Sequence, residues 1–207
     1  VEPTGTNKVV YSNTTTEEQI RNADILVFKA GTYHNIRNRW FNDGLRVTSG
    51  TKVWIAPGAV VSGVIKGVKS DGSASGVENV QIYGRGLLNC GNYREANKTN
   101  NPNGIYWARG VNNNIRNLPD AIDLSFVPDV SGQTSTNNVV RGILVGDIMF
   151  HGIVVGFDST IENVKLWGWH DNNDGFRPGK GSVVKNSFVR FVDDALYAFD
   201  IDATNNF

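Results

Sequence analysis

Apolar positions in this chain come in short Val/Ile/Leu-rich runs of four to seven residues, separated by Gly and Asn, with almost no stretch of helical period. Such a texture excludes a helix-rich fold. The runs that read as strands are Ile25-Leu26-Val27-Phe28, Leu45-Arg46-Val47, Lys52-Val53-Trp54-Ile55, Ala59-Val60-Val61, Val80-Gln81-Ile82-Tyr83 and Gly142-Ile143-Leu144-Val145. Further along lie Ile153-Val154-Val155, Val164-Lys165-Leu166-Trp167, Val183-Val184 and Ser187-Phe188-Val189-Arg190. One short helix start is expected at Thr16-Glu17-Glu18-Gln19.

A weak repeat emerges when the runs are aligned on an Asn. Glu78-Asn79-Val80-Gln81-Ile82-Tyr83-Gly84 recurs as Glu162-Asn163-Val164-Lys165-Leu166-Trp167-Gly168, with Asn138-Val139-Val140 and Asn186-Ser187-Phe188-Val189 in related places. The spacings 163 − 138 = 25 and 186 − 163 = 23 suit a solenoid of stacked strands. Each coil is too small to bury its own apolar face, whereas coils stacked about 4.8 Å apart bury a continuous interior. Asn tolerates left-handed backbone at the corners and can bond its neighbour along the stack. The fold class expected is therefore all-β, a right-handed parallel β-helix, with a β-sandwich of Gly/Asn hairpins as the alternative that strand lengths leave open.

Residues 1–22 read as a polar lead-in and residues 23–207 as the β-helix, with a polar, Asn-rich loop thrown out over about 91–120 that could wall a groove. Nothing near Asp200-Ile201-Asp202 or Asn205-Asn206-Phe207 resembles a cap, so the chain is expected to be a fragment of a longer one.

Composition narrows the partners. Twenty basic residues balance twenty acidic ones among 207, so no net positive field exists to hold nucleic acid or anionic lipid. Cys90 is the one cysteine, which excludes an intrachain disulfide and a multi-cysteine metal site. No apolar run approaches the roughly 20 residues that span a bilayer, and Val1-Glu2-Pro3-Thr4-Gly5 does not start a signal peptide, so any leader is expected to be already removed. Asn13-Thr14-Thr15 and Asn97-Lys98-Thr99 match the glycosylation acceptor pattern and suit an exported protein.

The candidate chemistry lies in the last forty residues, where Trp167-Gly168-Trp169-His170-Asp171-Asn172-Asn173-Asp174-Gly175-Phe176 is followed by Phe191-Val192-Asp193-Asp194-Ala195-Leu196-Tyr197. The gap 193 − 174 = 19 is about one coil, which would set Asp174, Asp193 and Asp194 side by side. Neighbours on a strand face opposite ways, so a bend at Asp193-Asp194 is expected to bring both to solvent. Three close carboxylates cannot all ionise freely; one holds a proton for donation while the others polarise water. That division of labour suits inverting glycoside hydrolysis, with acid and base about 6.5–9.5 Å apart. Trp169, His170, Asn173, Phe176, Arg177 and Tyr197 are the candidates for contact with sugar. Calcium bound by the carboxylates is the competing chemistry, disfavoured by the absence of an Asp-x-Asp-x-Asp loop.

The Asn172-Asn173-Asp174-Gly175 turn with Asp193-Asp194 one coil later resembles the Asn-x-Asp-Gly and Asp-Asp motifs of β-helical glycoside hydrolases, the polygalacturonases of family 28 and the dextranases and isopullulanases of family 49. Leu26-Val27-Phe28-Lys29-Ala30-Gly31-Thr32-Tyr33, Trp54-Ile55-Ala56-Pro57-Gly58-Ala59-Val60 and Val80-Gln81-Ile82-Tyr83-Gly84-Arg85-Gly86 resemble the first coils of such helices. Arg177 stands near where polygalacturonases usually carry a second acid, so family 49 is the nearer likeness. The resemblance implies Asp193 as general acid, Asp174 and Asp194 as the pair orienting water, and inverting cleavage of an α-glucan such as dextran or pullulan. It implies no metal or organic cofactor, a secreted enzyme and an N-terminal β-sandwich outside this chain. A pectin hydrolase, a non-catalytic carbohydrate-binding β-helix and, least favoured, a lyase are the other readings.

Overall fold

A computed structural model describes residues 1–33, 44–73, 75–91, 120–125, 135–169, 173–197 and 202–204. The strands stack into three parallel sheets that the chain visits in rotation, and the result is a parallel β-helix. The eight-stranded sheet holds Lys8–Val10, Ile25–Phe28, Lys52–Ile55, Gln81–Gly84, Val139–Arg141, Thr160–Glu162, Val183–Lys185 and Asp202–Thr204. The six-stranded sheet holds Gly31–Tyr33, Ala59–Ser62, Leu87–Asn89, Leu144–Gly146, Lys165–Trp167 and Phe188–Arg190. The five-stranded sheet holds Leu45–Val47, Ile65–Gly67, Ile122–Asp123, Ile153–Gly156 and Phe176–Pro178.

Three rows of apolar side chains fill the interior, one per sheet. Leu26, Val53, Ile82, Val140, Ile161 and Val184 are consecutive register partners in the first sheet, and all are buried. Val61, Leu88, Val145 and Leu166 form the second row, and Leu45, Ile65, Ile122, Ile153 and Phe176 the third. A strand of three or four residues can send only one or two side chains inward, so each coil depends on its neighbours for burial, at about 1.5–3 kcal/mol per buried large aliphatic.

Corners explain the Asn and Gly texture and correct the repeat. Two residues ahead of the first-sheet strands sit Asn79, Asn137, Asp158 and Gly181, with φ of 58, 56, 48 and 76°. Two residues ahead of the second-sheet strands sit Gly142, Asn163 and Asn186, with φ of 74, 53 and 53°. Asn79 and Asn163, matched in the sequence alignment, therefore belong to different corners, and Asn138 is one residue past the left-handed position. Register gives the true spacings, 160 − 139 = 21 and 183 − 160 = 23. Stacking of Asn along a corner does occur: the Asn137 amide donates to Asn79 Oδ1 at 2.5 Å.

Beside that corner runs a buried polar row. The Val80 N–H donates to Asn138 Oδ1 at 2.9 Å, the Asn138 N–H to Ser159 Oγ at 3.0 Å, and the Ser159 N–H to Ser182 Oγ at 3.0 Å. These side chains satisfy backbone groups that the turn withdraws from the sheets.

The expected helix start is realised as Glu17–Arg21, capped by Thr16, whose hydroxyl accepts from the Gln19 N–H while the Gln19 side chain accepts from the Thr16 N–H. Ile20 drops into the core, and Glu17 receives both Arg21 and Arg46. Residues 1–22 are thus more than a lead-in, since Lys8–Val10 opens the first sheet beside Ile25–Phe28. The coil between Gln81 and Val139 takes 139 − 81 = 58 residues. The loop expected over 91–120 falls within it, almost wholly outside the described residues.

Candidate active site

Asp174 lies on the loop between Lys165–Trp167 and Phe176–Pro178. Along the third sheet Ile122 pairs with Ile153 and Ile153 with Phe176, and Phe176 bridges Leu196 in the coil beyond. Two residues before each of these four stand Asp120, His151, Asp174 and Asp194, one equivalent position in four successive coils. The main chain holds this row together. The Ala121 N–H donates to the His151 carbonyl at 3.0 Å, the Gly152 N–H to the Asp174 carbonyl at 2.8 Å, and the Gly175 N–H to the Asp194 carbonyl at 2.7 Å.

The three expected acids converge. One carboxylate oxygen each from Asp174, Asp193 and Asp194 lie within 4.8 Å of one another. A bend at residues 192–193 replaces a strand, and Asp193 and Asp194 are both exposed. Asp174 departs from the expected common furrow, being only 8% exposed. Burial pushes its carboxyl upward from the ordinary value, aided by the charges of Asp193 and Asp194 and opposed by His151 and by a hydrogen bond from the Asp194 backbone. The group with the raised affinity for a proton is thus the enclosed one, whereas the resemblance makes the accessible Asp193 the acid. The nearest oxygens are also closer than the expected separation. One of the Asp174 oxygens, Oδ2, faces His151 Nε2 at 3.2 Å.

The candidates for sugar contact divide. Trp169 is 54% exposed with the Arg190 guanidinium 4.8 Å from its ring centre, and Tyr197 is 40% exposed with that of Arg177 at 4.9 Å. These two arginine-backed rings are the sugar-sized aromatic faces of the set. Asn173 and Phe176 are interior residues and offer no face to a ligand: Phe176 ends the third apolar row, and the Asn173 amide donates to the carbonyls of Ile148 at 3.2 Å and Phe150 at 3.0 Å. Chain direction explains the difference, because both flank the inward turn that enters the third sheet. His170 lies outside the described residues, as does Asn172.

Asp120 escaped the sequence reading, and His151 shows no partner in sequence. His151 Nδ1 lies 2.9 Å from Asp120 Oδ1, off the N–H direction that a hydrogen bond requires, so both buried atoms lack such a bond. A signal did exist: Asp120-Ala121-Ile122, His151-Gly152-Ile153, Asp174-Gly175-Phe176 and Asp194-Ala195-Leu196 share a polar, small, large-apolar pattern. Its spacings of 151 − 120 = 31, 174 − 151 = 23 and 194 − 174 = 20 are too uneven to stand out without the register. A cleft of about 790 Å³ lined by Trp54, Pro57, Tyr83, Arg85 and Arg141 sits at the corner between the first and second sheets and contains none of the acids.

No protein-family model matches the chain. It is 27% identical over 158 residues to a dextranase of Arthrobacter sp. strain CB-8, which covers 73% of this chain and 23% of that protein. To a dextranase of Arthrobacter globiformis it is 26% identical over 191 residues, 88% of this chain and 27% of that protein. The chain therefore spans about a quarter of the length of these relatives. In fold it matches a solved structure from Parabacteroides merdae ATCC 43184, described as a candidate glycosyl hydrolase, with a TM-score of 0.60, 13% identity, and coverage of 88% of this chain and 80% of that one.

Proposed function

We propose that the chain carries the catalytic coils of a glycoside hydrolase acting on an α-glucan such as dextran or pullulan, with inversion at the anomeric carbon. The observation that carries this reading is the cluster of Asp174, Asp193 and Asp194, one enclosed and two open to solvent, with the exposed rings of Trp169 and Tyr197 within a few residues along the chain. The similarity to two dextranases supports the substrate class.

Access narrows the proton donor to Asp193 or Asp194, both exposed, and the resemblance favours Asp193. A proton donor must reach the glycosidic oxygen, and Asp193 is exposed on the bend. Asp174 and Asp194 orient a water whose oxygen attacks the anomeric carbon; its proton passes to a carboxylate as Asp193 delivers one to the departing oxygen. The spacing of the oxygens alone is closer to that of a retaining pair, about 5–5.5 Å. Against covalent attack stands the state of Asp174, buried, facing His151 and bonded by the Asp194 backbone, with little freedom to reach a sugar ring. Long glucans are met outside the cell, so secretion belongs to the same proposal; among the described residues no helix is long and apolar enough to cross a membrane.

Asp193→Asn is expected to abolish release of reducing ends from dextran and pullulan while leaving folding and glucan binding nearly intact. Near-normal turnover would remove Asp193 from the mechanism, and turnover confined to polygalacturonate would move the substrate class to pectin. NMR of the first-formed anomer separates inversion from retention.

A further inference from the structure

We propose that His151 is a positioning residue for the acid cluster, held between Asp120 on one side and Asp174 on the other so that the Asp174 carboxylate keeps its place and its charge beside Asp193 and Asp194. The inference rests on the hydrolase reading for its consequence in catalysis, and on the row geometry for its substance.

The geometry is specific. His151 Nδ1 lies 2.9 Å from Asp120 Oδ1 and Nε2 lies 3.2 Å from Asp174 Oδ2, with the ring packed on that of Phe150 at 3.8 Å between centroids. His151 is 8% exposed, so its two acidic neighbours are screened little by water. Each ring nitrogen faces one carboxylate, Asp120 at Nδ1 and Asp174 at Nε2, so the imidazole is wedged between acids of the coils on either side. Because the three residues occupy one position in successive coils, their order is fixed by backbone stacking and not by rotamer choice. Around the imidazole the described titratable groups are Asp120 and Asp174 in direct contact, with Asp193 and Asp194 beyond Asp174.

Without His151, nothing described opposes the upward push that burial and the two neighbouring acids exert on Asp174 except the Asp194 backbone hydrogen bond. A protonated Asp174 cannot take a proton from water. The residue acts through Asp174 and need touch no sugar.

The decisive experiment follows the Asp174 carboxyl by carbon-13 NMR across pH in the intact protein, alongside pH profiles of kcat and KM on dextran, for wild type, His151→Gln and Asp120→Asn. Gln fills a similar volume with an uncharged donor and keeps the fold testable where His151→Ala loses it. In His151→Gln the Asp174 titration is expected to move to higher pH and the acid limb of kcat/KM to move with it. The maximal kcat should fall about tenfold to a hundredfold with KM within about twofold. Asp120→Asn should shift both in the same direction by less. An Asp174 titration unmoved in His151→Gln overturns the inference, whatever happens to activity. A moved titration in a protein that turns over no glucan leaves the inference standing and removes the hydrolase reading.

Discussion

Truncating Asn173 to alanine separates two roles that the sequence could not tell apart. The residue sits in the Asn-rich turn beside Asp174, where a sugar contact was expected, yet it is fully buried and its amide clamps the preceding coil through the carbonyls of Ile148 and Phe150. Gly168 shows how tight the fit is, since a Cβ there would overlap Asn173 Oδ1. Removing the amide leaves the buried Ile148 carbonyl and the part-buried Phe150 carbonyl without this donor, at about 1–3 kcal/mol for a fully buried group and less for a part-buried one. We expect a loss of about 3 kcal/mol, a large share of the 5–15 kcal/mol that ordinarily holds a domain together. For a chain of this length that lowers Tm by about 6–12 °C. Thermal unfolding by circular dichroism reads the loss, and KM on dextran, measured where the variant is still folded, should stay within about twofold because no substrate contact has gone. A variant as stable as wild type with KM raised tenfold would refute the structural role and restore Asn173 as a ligand contact.

Two further outcomes follow from the same neighbourhood. A Cβ at Gly175 would overlap the Ala195 carbonyl oxygen, so Gly175→Ala must push the segment bearing Asp193 and Asp194 away from Asp174; kcat should fall at least about tenfold, and an unchanged kcat would show that the acids need not be held so closely. Asp174 has a folded-state affinity for protons raised above its unfolded value of 3.8, so the folded state binds the extra proton and stability contributed by this group is greatest at low pH and declines as pH climbs through the folded value. Asp174→Asn should therefore flatten the decline in urea-unfolding stability that begins above the unfolded value of 3.8, and be at least as stable as wild type once that decline is complete; a variant whose profile keeps the wild-type slope would contradict this.

The short apolar runs, the Asn and Gly between them and the pairing of Asp174 with Asp193-Asp194 were legible from the sequence because each expresses a local rule. A buried strand needs an inward Val, Ile or Leu; a left-handed corner tolerates Asn or Gly; two acids one coil apart must be neighbours if the coils stack. Even the helix at Glu17–Arg21 announced itself through its capping box. Short strands with little apolar content, such as Thr160–Glu162 and Phe176–Pro178, escaped because two or three residues carry too little pattern of their own.

Register was decided only in three dimensions. Coils of unequal length put Asn79 and Asn163 in different corners and hid the row of Asp120, His151, Asp174 and Asp194 behind spacings of 31, 23 and 20 residues. The burial of Asn173 and Phe176, the enclosure of Asp174 and the exposure of Trp169 and Tyr197 depend on where the loop turns inward to meet the third sheet, which no local pattern specifies. Sequence determined which side chains each coil offers; stacking, driven by the need to bury those apolar rows and pair every backbone group, determined which of them meet.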